Sequence, residues 1–325
     1  MVYNKYIGII GGTGTIGSII VKYLLQLQTH FHVLIGGRRS IKEISMSTFY
    51  NSERLKYNQM NYNNDVELDN FCSQCLLVIN AVGPSFKIND KIALHALRNN
   101  CHYIDIGGYG ILRDLLKPYE KSIEAQKLCF IIGVGWMPGI SGVFSKTIIE
   151  THLNSPENTN FNIYYGAVDN WSYSSTYDLA ASSMGKTRSY VYSHGKEIQV
   201  SPFRYTHHKF FPFIGHKKIC MPSFDEQLTQ LATSLKQIRK ISTFIMLNDY
   251  ISMGKFMFIK IFYKHNLNKA TLMLQDDYQR LVKKENKWGS VICQVSKIEP
   301  ERKIDTFYYL YTKNNLLYTA LPAVI

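Results

Sequence analysis

Near the start of the chain an apolar run, Ile7-Gly8-Ile9-Ile10, passes directly into Gly11-Gly12-Thr13-Gly14-Thr15-Ile16-Gly17. Behind the glycines, Ile16, Ile19, Ile20, Tyr23, Leu24 and Leu27 recur at i, i+3, i+4 and i+7, which is one face of a helix. Apolar runs and helical stripes keep alternating through the first 140 or so residues. They predict strands at 5–10, 31–36, 75–81, 101–106 and 128–134, with a weaker strand near 55–60. Helices fit at 15–28, 87–99 and 114–126. Cys75 to Val82 is apolar almost throughout, as in a strand covered on both faces. The pattern implies an α/β fold, a Rossmann-type doubly wound parallel sheet.

After Gly142 the pattern changes to that of a second, mixed α+β domain. Phe161 to Val168 and Ser189 to Ser193 read as strands, the latter turning at His194-Gly195-Lys196 into Glu197 to Val200. Ser223 and Glu226 form a capping box ahead of a stripe of Phe224, Leu228, Leu231, Leu235 and Ile238. Residues 289–298 and 305–311 alternate as a hairpin does. The stretch 241–263 reads as a subunit-interface or core helix rather than a membrane-surface helix, because Asn248 and Asp249 interrupt its apolar surface. The expected organisation is a dinucleotide-binding domain at 1–142, an α+β substrate and dimerisation domain at 143–318, and at 319–325 the start of a helix returning to the first domain.

The glycines carry the first chemistry. Gly12, Gly14 and Gly17 form G-x-G-x-x-G between a strand and a helix. That spacing permits a tight turn, close pyrophosphate approach and close helix–strand packing, with backbone N–H groups of Thr13, Thr15 and Ile16 as donors. The second strand then ends in Gly36-Gly37-Arg38-Arg39-Ser40. A carboxylate there would bond the ribose 2′-hydroxyl of NAD. Two guanidiniums and a hydroxyl suit a 2′-phosphate instead, so the expected cofactor is NADP(H).

Composition narrows the class. In 325 residues, 46% hydrophobic and 19% charged content describes a globular protein with ample core. The net charge of +13 favours an anionic ligand or acidic partner. The basic residues are dispersed and accompany no nucleic-acid-binding motif, so no nucleic acid is expected. Cys72-Ser73-Gln74-Cys75 lacks a second pair, so no metal is expected. The first strand starts too near Met1 to leave room for a signal peptide, and no apolar run is long enough to span a membrane. The expectation is a cytoplasmic enzyme.

Further segments resemble the saccharopine dehydrogenase-like reductases: Val78-Ile79-Asn80-Ala81-Val82-Gly83-Pro84, His102-Tyr103-Ile104-Asp105, Gly135-Trp136-Met137-Pro138-Gly139, His194-Gly195-Lys196, and Tyr318-Thr319-Ala320-Leu321-Pro322-Ala323. The resemblance implies an NADP-dependent oxidoreductase moving hydride between NADPH and a C=N bond. The alternatives are an enoyl (C=C) reductase of a lipid or carrier-bound substrate, and a non-catalytic nucleotide-binding protein. Ligands of such sheets sit beyond the carboxyl ends of the strands. Asn80, Ala81, Val82, Gly83 and Pro84 therefore join the cofactor site. Tyr109, Asp105 and His102 are the candidate catalytic residues, and Tyr109, Trp136, Pro138, Tyr173 and Tyr177 the candidate substrate contacts. The chain departs from the resemblance at Gly107-Gly108-Tyr109-Gly110 and at Trp136-Met137, where an acid is common. A substrate without saccharopine's charged amino-acid groups is expected, small or carrier-bound, acted on by a homodimer.

Overall fold

In the computed structural model, the described residues are 6–27, 30–40, 52–108, 110–152, 156–184, 189–223, 226–263 and 265–325. They divide into two units, Met1–Gly139 with Leu316–Ile325, and Ile140–Asn315.

The first unit alternates strand and helix: β1 (Tyr6–Ile10), α1 (Thr15–Gln26), β2 (Val33–Gly37), β3 (Leu55–Gln59), α2 (Asp65–Cys72), β4 (Cys75–Asn80), α3 (Ser85–Ile88), α4 (Lys91–Arg98), β5 (His102–Asp105), α5 (Gly110–Leu116), α6 (Glu120–Ala125) and β6 (Phe130–Ile132). Among the described residues the six strands form one sheet in the order β3-β2-β1-β4-β5-β6. Every pairing is parallel. The chain leaves β1 toward β2 on one side and returns to β4 on the other, so the order reverses between β1 and β4. That is the switch point at which doubly wound sheets open a crevice. One face packs Leu68, Phe71, Ile92 and Ala96 of α2 and α4 against the sheet. The other packs Ile20, Val21 and Leu24 of α1 with Ala320 and Ala323 near the C-terminus.

The second unit is built on an eight-stranded sheet comprising β7 (Thr159–Val168), β8 (Ser189–Ser193), β9 (Lys196–Val200), β10 (His207–Phe211), β11 (His216–Pro222), β12 (Lys240–Leu247), β13 (Trp288–Ile298) and β14 (Lys303–Thr312). Its main path runs β10-β11-β12-β7-β13-β14, with β8 bridging β12 to β9. Among the described residues of this sheet, only β7 and β12 run parallel. The helices are α7 (Ile140–Glu150), α8 (Tyr173–Met184), α9 (Pro202–Tyr205), α10 (Glu226–Ser234), α11 (Tyr250–Phe262) and α12 (Leu267–Lys284), with α13 (Asn315–Ala320) leading back to the first unit. Trp288 to Ser296 is buried on both faces, which explains its unbroken apolar and small-polar character.

Four boundaries differ from expectation. The helix expected at 87–99 is two helices, because Asn89 adopts a left-handed φ of 52° between them. The one expected at 114–126 starts at Gly110 and is interrupted by a 3-10 turn, Lys117–Tyr119, carrying Pro118. The stretch 241–263 is not one helix. Its first part is β12, whose Ile241, Thr243 and Ile245 alternate with Ser242, Phe244 and Met246 in a fully buried strand, and only Tyr250 onward is helical. Asn248 and Asp249 thus mark a junction, with Asp249 capping α11 by accepting Ser252 N–H at 2.8 Å. Of the expected Ser223 box, Phe224 and Asp225 lie outside the described residues. The helix ends at Ser234, so Leu235 and Ile238 fall in the following turn.

Asp249 also receives a two-pronged contact from Arg280, Nη1 to Oδ2 at 2.7 Å and Nη2 to Oδ1 at 2.9 Å. Burial pushes this carboxyl up, but Arg280 and Ser252 outweigh burial and hold it well below the usual carboxylate range. A depressed folded pKa stabilises fully above the unfolded value of about 3.9 and is lost as pH falls through the folded one. Asp249→Asn keeps a capping oxygen and removes the charge. We expect it to lower the melting temperature at pH 7, with the gap from wild type narrowing below about pH 4 in thermal unfolding followed by circular dichroism.

Candidate nucleotide and active site

In the first unit the carboxyl ends of β1, β2, β4, β5 and β6 share one edge. At the centre, β1 passes through Gly11, with φ of +84°, into α1. Gly11 N–H donates to Gly36 O and Gly14 N–H to Gly11 O, both at 2.8 Å, closing the turn. A Cβ on Gly17 would overlap the Gly11 carbonyl, and one on Gly12 would press Ile35 Cγ2 at 2.8 Å. A Cβ on Gly14 would meet only Gly11 O, at 3.1 Å, and otherwise face open space. Gly14 is the N-cap of α1 and offers no capping side chain, so the N–H groups of the first turn point outward as anion donors. Thr13 is half-buried and Thr15 exposed at this mouth. The turn fits a pyrophosphate.

One strand over, β2 delivers Arg38 and Arg39, both exposed. Their backbone is anchored from β3. Tyr57 Oη donates toward Gly37 O (2.9 Å) and Arg39 O (2.5 Å), and Gln59 Nε2 donates to Arg38 O at 3.4 Å. A Cβ on Gly37 would lie 3.4 Å from Thr13 Oγ1, so the arginine turn adjoins the glycine turn. Ser40 follows, half-buried.

On the other side of β1, the ends of β4 and β5 are knitted by buried polar groups. Asn80 Nδ2 donates to Asp105 Oδ2 at 2.8 Å, while Asn80 Oδ1 accepts Val82 N–H at 3.0 Å. Asp105 Oδ2 also accepts Tyr103 Oη–H at 2.7 Å, and Oδ1 accepts Gly108 N–H. Burial raises the Asp105 carboxyl, opposed by Tyr103, Asn80 and the N–H groups of Gly108 and Gly107. Burial likewise pushes the Tyr103 phenol well up, reinforced by Asp105. Ala81, Val82, Gly83 and Pro84 follow, all half-buried, with Val82 and Ala81 O against Gly11. Beyond β6, Gly133 (φ +69°) and Gly135 pack on Gly108 O and Ile106 O. Trp136 meets Tyr318 edge-on at 6.2 Å, and Pro138 lies against Gly133.

The expected residues are thus partly brought together. Gly12 to Gly17, Arg38 to Ser40, Asn80 to Pro84, Asp105, Trp136 and Pro138 belong to the strand-end edge. His102 does not. It opens β5 opposite Leu77, about 10 Å along the strand from Asp105 at ~3.3 Å per residue, and its Nδ1 accepts Cys129 N–H at 3.0 Å. Tyr109 lies outside the described residues. In the second unit, Tyr173 donates to Asn268 Oδ1 at 2.8 Å, and Tyr177 is buried one turn along α8. Sequence reasoning missed Tyr57, Gln59 and Tyr103. The period of β3 carried a faint signal, since Tyr57 and Gln59 alternate onto one face beside the arginine turn. Among the described residues, no helix is long and apolar enough to cross a membrane, and no His, Cys, Asp and Glu group could hold a metal ion.

The class that this fold and site define is the dinucleotide-dependent oxidoreductases. Residues 7–129 match the family model described as saccharopine dehydrogenase NADP binding domain, which makes NADP(H) the cofactor. The whole chain is similar in fold to apo saccharopine dehydrogenase (L-Glu forming) from Saccharomyces cerevisiae. That match has 14% identity and a TM-score of 0.66, and covers 99% of this chain and 90% of that one. The C. glutamicum DAP dehydrogenase in complex with DAP matches at 11% identity and a TM-score of 0.48, over 98% of this chain and 86% of that one. No curated protein matches the chain in sequence.

The glycine geometry separates two effects. Gly14→Val should cost less stability than Gly17→Ala, since its Cβ meets only Gly11 O, and abolish NADPH binding in a fluorescence titration. Gly17→Ala should destabilise by about 1–3 kcal/mol, because the Gly11 backbone must move. A Gly14→Val protein that binds NADPH normally would contradict the assignment of the pyrophosphate.

Proposed function

We propose that the protein is a cytoplasmic NADPH-dependent reductase that transfers hydride to a C=N bond of a small or carrier-bound substrate. The observation that carries the reading is the Arg38–Arg39 turn, anchored by Tyr57 beside the uncapped N-terminus of α1. The C=N preference is supported by the saccharopine dehydrogenase type of the nucleotide domain.

In this reading the first-turn N–H groups of α1 hold the pyrophosphate, and Arg38 and Arg39 pair with the 2′-phosphate. Ala81 to Pro84 line the path of the nicotinamide ribose, where small residues leave room. The bound nicotinamide supplies the hydride. Asp105 acts as a positioning residue: its oxygens are taken up by Asn80, Tyr103 and Gly108, so it fixes the β4 and β5 loops rather than relaying a proton. Tyr109, next after Gly108, is the proposed proton donor, since a phenol flanked by glycines can approach a substrate nitrogen closely. Trp136 and Pro138 would bound the acceptor.

Two expectations follow. NADPH should bind more tightly than NADH, and Arg38→Ala should narrow the gap. Charge-assisted phosphate contacts contribute about 1.5–3 kcal/mol, roughly tenfold to a hundredfold in Kd. Equal dissociation constants for the two cofactors would overturn the reading. Absorbance assays of NADPH oxidation against cyclic imines and enoyl thioesters then test the chemistry. Turnover confined to imines supports it, and turnover confined to enoyl compounds contradicts it. Asp105→Asn should lower kcat with little change in NADPH affinity.

A further inference from the structure

α11 carries an unusual surface. Its inward side buries Ser252, Phe256 and Ile259. Its exposed positions are Tyr250, Ile251, Gly254, Phe258, Ile261 and Phe262, with no charged side chain among them. Ile261 and Phe262 leave 65% and 66% of their surface to solvent. A helix apolar on both sides is normally covered on both sides. The neighbouring α12 continues the patch with Leu272, 58% exposed, between exposed Lys269 and Asp276 at i−3 and i+4.

The two helices form an antiparallel hairpin whose alignment is fixed by contacts. Lys255 Nζ reaches Asp276 Oδ2 at 2.7 Å, and Ser252 Oγ donates to Asp277 Oδ2 at 2.6 Å. Counting from these toward the turn, Phe258 is level with Leu272. We propose that a second copy of this chain covers this face, through a two-fold axis lying across both helices at the level of Phe258 and Leu272.

Three features fit that occupant. First, such an axis runs α11 antiparallel to its copy and sets Phe262 over the partner's Gly254. Gly254 is a notch, since a Cβ there would meet nothing within 4 Å. The ring that would fill it is preset, because Phe262 packs on Phe258 at 4.5 Å. Second, the same axis sets Lys269 opposite the partner's Asp276, twice, so the rim is self-complementary in charge. An isologous contact needs that property. Third, an anionic lipid surface fits poorly. Lys255 is neutralised by Asp276 and Asp277, at 2.7 and 3.4 Å, and Asp276 itself stands exposed at the rim.

The test uses the full chain. Sedimentation velocity over a concentration series should give a dimer. Ile261→Asp and Phe262→Asp should each weaken the dimer by about tenfold or more, with circular dichroism and NADPH affinity unchanged. Mild oxidation in a Cys129→Ser background reads the register. Phe258→Cys lies on the axis and should cross-link to its own copy. Ile251→Cys should not, because it sits about 20 Å from its copy at 1.5 Å per residue along each helix. A monomer at every concentration, with or without binding to phosphatidylserine vesicles, would overturn the proposal, as would cross-linking through Ile251→Cys but not Phe258→Cys. None of these outcomes bears on the nucleotide assignment, which is read separately by the NADPH titration.

Discussion

The N-terminus of α1 can lie against the end of β1 only because positions 11, 12 and 17 carry no side chain. That close approach sets everything near it. It aims the unpaired N–H groups of α1 along the sheet edge. It brings Ala81 and Val82 against Gly11, and it leaves Thr13 beside the arginine turn at Gly37. Add one methyl at Gly17 and the Gly11 carbonyl has to move, taking with it the hydrogen bond that joins Gly11 N–H to Gly36 O. Nucleotide recognition here is a property of backbone placement, with side chains entering at the two ends of the ligand.

At the far end, order comes from a buried carboxylate rather than from glycine. Asp105 gathers donors from β4, β5 and the loop after β5, so that the loops bounding the proposed hydride-transfer region are held by one group. An isolated charge so buried would be costly; its several donors are what make it tolerable. The second unit solves a related problem at Asp249, Ser252, Asp277 and Arg280, where a network of charges locks α11 to α12. Locking those helices from within leaves the outer face of the hairpin free to be apolar.

Much of the first unit was legible in the sequence because parallel strands buried on both faces read as apolar runs, and Gly and Arg punctuate their ends. Cys75 to Asn80, buried on both faces from Val78 onward, and the Gly12–Gly17 turn are of that kind. The arginine turn was legible as chemistry, while its anchoring by Tyr57 was not, since it depends on the pairing of β2 with β3. His102 and Asp105 stood three residues apart in one motif, and only the strand direction separates them onto opposite edges of the sheet. The error at 241–263 has a simple cause: a fully buried strand and an apolar helix share composition, and the period is hard to read where both faces are covered. Phe258, Ile261 and Phe262 then acquire meaning only once the helix is seen to start at Tyr250.

The central claim is that the α1 turn holds the pyrophosphate while Arg38 and Arg39 hold a 2′-phosphate. An experimental structure of the protein with NADP+ bound tests it most directly. The account predicts pyrophosphate oxygens within hydrogen-bond distance of the Thr15 and Ile16 N–H groups, and the 2′-phosphate paired with Arg38 or Arg39. A 2′-phosphate lying in solvent away from both guanidiniums, or a nucleotide seated away from the end of β1, would contradict it.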